Sequence, residues 1–290
     1  MESFKEGEMK DEKKELADLG TQELTEELRK RGFFTSKVPP QNQGLLFKTN
    51  LSRFNGKETR FGVISCTHLG SRYQQMTHLH TFYALAKERH CKYVLHCGDV
   101  FDGDSHMHVG MEYELFLHGA DAQLRYGIEN YPDHVKTLVI AGNHDLSFYK
   151  QSGLNIVKAW ADERSDVTYL GDTTTTVFSD GLKIGLQHAS GGVSYARSYR
   201  LQKGIDGLSS ENKPHFMFIG HYHVPAYIPQ YRNVEAWQMG CFQAQSAYLA
   251  TKMLYPVVGG LIVTIRPDVE GIGSILYEWV PFYKMIENDF

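Results

Sequence analysis

Residues 137–145 read Thr-Leu-Val-Ile-Ala-Gly-Asn-His-Asp. A short apolar run reaches glycine, and the chain then presents an amide, an imidazole and a carboxylate in succession. An apolar run of this length, bounded by glycine, predicts a buried strand that delivers polar groups at its end. The pattern recurs upstream. Arg60–Cys66 closes on Ser65-Cys66-Thr67-His68-Leu69-Gly70, and Tyr93–Cys97 closes on Cys97-Gly98-Asp99-Val100-Phe101-Asp102. Between these runs lie helical periodicities. Met76–Arg89 carries Met76, Leu79, Phe82, Tyr83 and Ala86 on one face, and Met111–Ile128 predicts a second helix. Leu154–Ala161 predicts a third. Strand alternating with helix is the order of a βαβ layer.

Beyond Val167 the texture changes. Thr174–Ser179 and Leu182–His188 flank Asp180-Gly181, a two-residue hairpin signal. His215–Ile219 predicts a further buried strand, and Val234–Met239, Gly260–Ile265 and Ile272–Trp279 predict antiparallel ones. The expected fold class is α/β, a two-sheet sandwich flanked by helices and preceded by a short helical arm. That arm takes up residues 1–45 with its linker, and the main domain residues 46–290. Seventeen of the first 32 residues are charged, and Leu16, Leu19, Leu24 and Leu28 form only a thin apolar stripe. Such an arm packs on the main domain or on a second copy of the chain, so a homo-oligomer joined through it is one expected partner.

Composition narrows the function classes. The chain has 290 residues, 42% hydrophobic and 22% charged, with net charge -4. That is ordinary globular composition, and it excludes a globally basic nucleic-acid binder. No apolar stretch reaches membrane-spanning length, and no secretory leader is visible. Four cysteines at 66, 91, 97 and 241 are too scattered for a disulfide framework, so a reducing, cytoplasmic setting is expected.

The 14 histidines are the unusual feature. Two further strand ends carry them: Gln187-His188-Ala189-Ser190 and Gly220-His221-Tyr222-His223. Ligands of open α/β sheets sit outside the carboxyl ends of the strands. Five strand ends therefore bring imidazole, carboxylate and amide oxygen to one edge. That donor set suits Mn, Fe or Zn better than Mg or Ca. His78, His80, His90, His96, His106, His108, His118, His134 and His215 read as histidines without a metal. His106 and His108 follow the Gly-Asp cluster closely enough to line the cleft.

Taken in order, His68, Gly98-Asp99, Gly142-Asn143-His144-Asp145, His188 and Gly220-His221-Tyr222-His223 resemble the calcineurin-like metallophosphoesterase superfamily over roughly residues 60–280. The resemblance implies an enzyme with two divalent ions. Cys66, His68, Asp99 and His223 would hold one, and Asp99, Asn143, His188 and His221 the other. It implies a metal-activated hydroxide attacking a phosphoester. His144 would donate a proton or stabilise charge at the phosphate, and Asp145 would hold the far ring nitrogen of His144. Where the superfamily has aspartate in its first motif, this chain has Cys66. A thiolate ligand favouring Zn or Fe, a weakened first site, and a replaced or modified aspartate all fit the sequence.

Ser-Cys-Thr-His-Leu-Gly and Gly-Asp-Val-Phe-Asp look most like the SbcD-type nuclease branch of that superfamily. That branch carries a capping domain after the metal core, whereas residues 224–290 read here as core strands. The expected activity is phosphodiester hydrolysis, with DNA or RNA as the expected substrate. Tyr195, Arg197, Arg200 and Lys203 follow His188 closely and are the candidate contacts to a phosphate backbone. The same segment also reads as a solvated helix face. Other function classes remain open: a binding or regulatory protein whose catalysis is crippled at Cys66, a phosphomonoesterase, or a cyclic-nucleotide phosphodiesterase.

Overall fold

A computed structural model describes residues 58–104, 106–179, 182–210, 213–268 and 271–290. Within them the three apolar runs that precede the polar clusters are parallel neighbours. β1 (Thr59–Ile64), β2 (Val94–His96) and β3 (Thr137–Ile140) pair side by side, Ile64 opposite His96 and His96 opposite Val139. Their ends are therefore level, and the loops that follow emerge together. β4 (Val167–Gly171) continues the parallel set beyond β3.

The second sheet is built from β5 (Thr174–Ser179), β6 (Leu182–His188), β7 (Phe216–Gly220), β8 (Ala226–Tyr231) and β9 (Val234–Gln238), in the order β5-β6-β7-β9-β8. β6, β7 and β9 are parallel, with antiparallel β5 and β8 at the edges. The chain then returns to the first sheet as β10 (Gly259–Asp268) and β11 (Gly271–Pro281), giving the order β11-β10-β1-β2-β3-β4.

Strand parity separates the core into layers, because alternate side chains face opposite sides of a sheet. Phe61 and Val63 of β1 meet Phe216 and Phe218 of β7 between the sheets. Ile64 faces the other way, into a cluster with Leu79, Phe82 and Trp160. These come from helices α1 (Met76–Glu88) and α5 (Ile156–Glu163). Met217 and Ile219 of β7 turn to the outer face of the second sheet, against Leu201 and Ile205 of α6 (Tyr199–Asp206). Strands covered on both faces read as continuous apolar runs, which is why they were visible in the sequence.

Several expectations required correction. The helix expected over Met111–Ile128 is two helices, α2 (Met111–Glu114) and α3 (Ala120–Asn130). Between them the N–H groups of Phe116 and Leu117 both donate to the Gly70 carbonyl, at 2.9 and 3.3 Å. A tertiary contact to the first polar loop overrides the helical period there. The helix expected from Leu154 starts at Ile156, because Asn155 caps it by accepting from the Lys158 N–H. β4, β8, α4 (Asp145–Ser152) and α7 (Ala247–Thr251) were not anticipated. The helical arm expected over residues 1–45 lies outside the described residues. Among the described residues no helix is long and apolar enough to cross a membrane.

Candidate metal centre

The first two polar loops are tied together by their backbones. Cys66 N–H donates to Gly98 O at 2.9 Å, Thr67 N–H to Asp99 O at 2.9 Å, and Leu69 N–H to Val100 O at 2.8 Å. This cross-loop ladder continues the β1–β2 pairing past the strand ends while the chain turns. The turning is severe. Cys66, His68, Asp99, His221 and His223 all have positive φ, between 48° and 95°. Left-handed backbone costs a non-glycine residue roughly 1–2 kcal/mol. Five of the seven residues singled out as ligands sit in it. Strain of this kind persists only where the surroundings over-determine it, and it gathers at functional sites.

Glycines make the close approach possible. A Cβ on Gly142 would collide with Asp99 Oδ1 and with the Asp99 backbone nitrogen, and one on Gly220 would collide with Ser65 Oγ. Glycine is required here for space, so the three loops can converge on Asp99.

The buried side chains turn their ligand atoms toward one another. His188 Nε2 lies 3.0 Å from Asp99 Oδ2 and 3.1 Å from Asn143 Oδ1. His68 Nε2 lies 3.1 Å from His223 Nε2 and 3.9 Å from Asp99 Oδ2. The opposite ring nitrogens are held from outside. His68 Nδ1 donates to Asp102 Oδ1 at 2.8 Å, and His188 Nδ1 donates to the Cys97 carbonyl at 2.7 Å. Holding Nδ1 in this way fixes the tautomer and leaves Nε2 for the centre, the arrangement metal-bound histidines use. Cys66, His68 and His223 can share an ion, as can Cys66, Asp99 and His188. The donor set therefore fits a divalent metal.

Electrostatics agree with a cation site. Burial opposes ionisation of Asp99, yet His188, His144 and His68 hold its carboxyl well below the usual range. Burial and the His68 ring hold His223 neutral, well below the ordinary imidazole value. Burial pushes the Cys66 thiol well up, and the Asp99 charge adds to this. Its sulfur lies 2.9 Å from Ser65 Oγ and accepts the His221 N–H at 3.2 Å. A bound ion would have to displace the proton of that thiol.

One residue differs from its expected role, and a second has one ring nitrogen already engaged. Asp145 does not touch the His144 ring. Its Oδ1 accepts the Phe101 N–H at 2.8 Å, and its Oδ2 accepts those of Gly142 at 2.8 Å and Val100 at 3.2 Å. It pins two metal loops together from the start of α4. Burial and the nearby Asp99 charge raise its carboxyl to about 7. The His144 ring is oriented instead by the Asp102 carbonyl, which accepts from Nδ1 at 2.5 Å, while the His144 N–H donates to Asp99 Oδ1 at 2.9 Å. His221 stands at the cluster, but its Nε2 donates to the Gly191 carbonyl at 2.9 Å. Asp102 was missed as a functional residue, although Gly-Asp-Val-Phe-Asp contains it. Gln243, whose Nε2 reaches Asp102 Oδ1 at 3.4 Å, had no local signal.

The expected phosphate-backbone contacts do not line the cleft. Tyr195 and Arg197 are exposed, and Lys203 is exposed in α6. Arg200 is spent inside its own segment, donating to Ser194 Oγ and to the Gly192 carbonyl, each at 3.0 Å. Leu201 and Ile205, not the tyrosines, hold this segment to the core. The cleft over the cluster has a volume of about 410 Å³ and includes His68, Asp99, Asn143, His144, His221 and His223 in its lining. His108 lines it as well, whereas His106 is exposed and paired with Asp104.

The profile of the calcineurin-like phosphoesterase superfamily domain matches residues 60–244. Among curated proteins, the DNA polymerase II small subunit of Methanothermobacter thermautotrophicus is 22% identical over 269 residues, which cover 76% of this chain and 55% of that one. The chain thus spans about half the length of this curated relative. Among solved structures, Vps29 of Entamoeba histolytica complexed with zinc matches at 15% identity and a TM-score of 0.38, over 78% of this chain and 100% of that one. A predicted phosphoesterase of Streptococcus pneumoniae TIGR4 matches at 12% identity and a TM-score of 0.35, over 78% and 99%.

Proposed function

The chain belongs to the calcineurin-like phosphoesterase superfamily, and from that premise we propose that it is a metal-dependent phosphodiesterase with a two-ion centre at its strand ends. One observation carries the reading: His68, Asp99, Asn143, His188 and His223 turn their ligand atoms inward, with the far ring nitrogens of His68 and His188 already occupied. In this reading Cys66, His68, Asp99 and His223 hold one ion, and Asp99, Asn143, His188 and His221 the second. Asp99 is shared. Zn, Mn and Fe suit the nitrogen-rich, sulfur-containing donors. When bound, such ions supply Lewis acidity toward phosphate oxygens and toward an attacking water.

The protein's own residues do the rest. His144 lines the cleft with its Nδ1–H committed to the Asp102 carbonyl, so Nε2 is the nitrogen left to pass a proton to the leaving oxygen. Asp145 keeps the second and third loops in register for this. The Methanothermobacter relative, a DNA polymerase subunit by name, supports nucleic acid as one substrate class to test.

The test is hydrolysis of bis(p-nitrophenyl) phosphate by metal-free protein resupplied separately with Mn, Zn or Fe(II). Turnover with one ion is expected, and His144→Ala should lower it by about 10²–10⁴-fold without emptying the metal site. A second reading has its own support. Cys66, which stands where the superfamily has aspartate, is fully buried with its sulfur against Ser65 Oγ and the His221 N–H, and this already engaged donor supports a binding protein without turnover. Absence of turnover with every ion, restored by Cys66→Asp, would decide for it.

A further inference from the structure

The amino end of β7, opposite the ion centre, opens onto a second cavity of about 520 Å³. Both sheets line it: Phe216, Tyr227 and Glu235 from the second, and Ile272, Ile275 and Tyr277 from β11 of the first. Strand parity makes Glu235 unusual. Val234 and Ala236 of β9 turn to the outer face, against Leu201 and Ile205 of α6. Glu235 therefore shares the inner face with Trp237, which packs into the layer between the sheets. Its neighbour on β7 is Phe216. A carboxylate turned toward an apolar layer is costly unless other groups offset its lost hydration.

The protein offsets this on one oxygen. Oε2 accepts the hydroxyls of Tyr227, at 2.5 Å, and of Tyr277, at 3.4 Å, so the carboxylate is held from both sheets. Among the described residues no group donates to Oε1. The lining holds no lysine or arginine among the described residues. His215 borders the cavity, but its Nδ1 accepts the Lys183 N–H at 2.9 Å, and burial together with the Lys183 charge keeps its imidazole below the ordinary value. Glu235 is therefore the one formal charge of the described lining. Two electron-rich rings stand beside it, those of Tyr227 and Tyr277, with centroids 5.3 Å apart. Such rings attract cations as the carboxylate does. Phe216, Ile272 and Ile275 supply apolar surface within one cluster. The volume falls in the range of small-molecule sites.

We propose that this cavity binds a small organic amine, its ammonium donating to Glu235 Oε1 and its apolar body lying against Phe216, Ile272 and Ile275. The site stands apart from the hydrolase reading, because none of the residues assigned to the ions lines it.

The test is calorimetry on the full chain at about 0.15 M salt, which screens contacts with exposed charges. The probes are phenethylamine, phenethyl alcohol, which has the same shape without the charge, and phenylacetate. The amine is expected to bind at least about tenfold more tightly than the alcohol, and phenylacetate most weakly. Glu235→Gln keeps an acceptor for both tyrosines and removes the charge. Amine and alcohol should then bind within about twofold of each other. Ile272→Lys places a tethered ammonium in the cavity and should weaken the amine about tenfold, a second reading of the site should Glu235→Gln not fold. Equal binding of amine and alcohol, binding of neither, or undiminished amine affinity in either folded variant overturns the proposal. Methylamine, which lacks the apolar body, should bind at least about tenfold more weakly than phenethylamine, and equal affinity overturns the role given to Phe216, Ile272 and Ile275.

Discussion

The two ends of β7 share a strand and differ in nearly everything else. At the carboxyl end, Gly220 leads into His221 and His223, both left-handed, at a cluster where the Nε2 atoms of His68 and His223 face each other at 3.1 Å. At the amino end, His215 and Phe216 border a cavity of about 520 Å³ with Tyr227, Glu235 and Tyr277. There one carboxylate gathers two tyrosine hydroxyls. Glu235 Oε2 accepts from Tyr227 at 2.5 Å and from Tyr277 at 3.4 Å, and Tyr227 stacks on Trp237. Left-handed residues occur here too, at Arg232 and Asn233, but they close the two-residue turn of the β8–β9 hairpin, with Tyr231 opposite Val234. That turn type demands positive φ at both positions. One backbone conformation thus serves two ends. At the hairpin it satisfies a chain reversal, and at the cluster it turns imidazole and carboxylate atoms of distant loops toward one another.

The largest effect should come from removing the shared carboxylate. Asp99→Ala is expected to empty the ion centre and lower turnover by at least about a thousandfold, or ~4 kcal/mol. Glu235→Gln, at the other end, should leave both unchanged within about twofold. Metal content by elemental analysis together with turnover checks the pair. Equal losses in the two variants would erase the distinction between the ends.

Next in size is a packing change. Gly142→Ala drives a methyl into Asp99, and overpacking of this kind costs about 1–3 kcal/mol. A fall in Tm of roughly 3–10 °C is expected for a domain of this size. An unchanged melting curve would show that the loops can separate freely, so that the strain at the cluster is not held by packing.

The smallest effect belongs to the hairpin. Asn233→Gly keeps a residue suited to positive φ and should change stability by no more than about 0.5 kcal/mol, with metal content untouched. A large loss in a thermal melt would mean that the Asn233 side chain, and not only its backbone, shapes the amino end.

Much of the fold is legible in the sequence. β2, β3 and β7 are buried throughout and β1 nearly so, and each is a short apolar run that stops where the polar loop begins, whereas β6 alternates, with Leu182, Ile184 and Leu186 inward. Edge strands gave less warning. β8 reads Ala-Tyr-Ile-Pro-Gln-Tyr with Ile228 its one buried residue, a pattern close to that of a loop. The site divides the same way. His68, Asp99, Asn143, His188 and His223 stand out because each sits at a strand end beside a glycine or another polar group. The orientation of His144 did not stand out, because the chain offered the adjacent Asp145 while the structure uses a carbonyl 42 residues away. Adjacency along a backbone says little about a ring nitrogen, since the peptide between two residues can carry their side chains apart.

The order of apolar runs and polar endings is a local property, and it was enough to specify a two-sheet α/β sandwich with nitrogen and oxygen donors gathered on one edge. Strand length, side-chain alternation and the parallel pairing of neighbours follow from the chain over a few residues at a time. Folding added what depends on distance through space. It chose Asp102 and the Cys97 carbonyl to hold two imidazoles and spent Arg200 on its own loop. Hydrogen bonds and packing select partners by position within a few ångströms, and segments far apart in sequence acquire that position only once the two sheets have closed on each other.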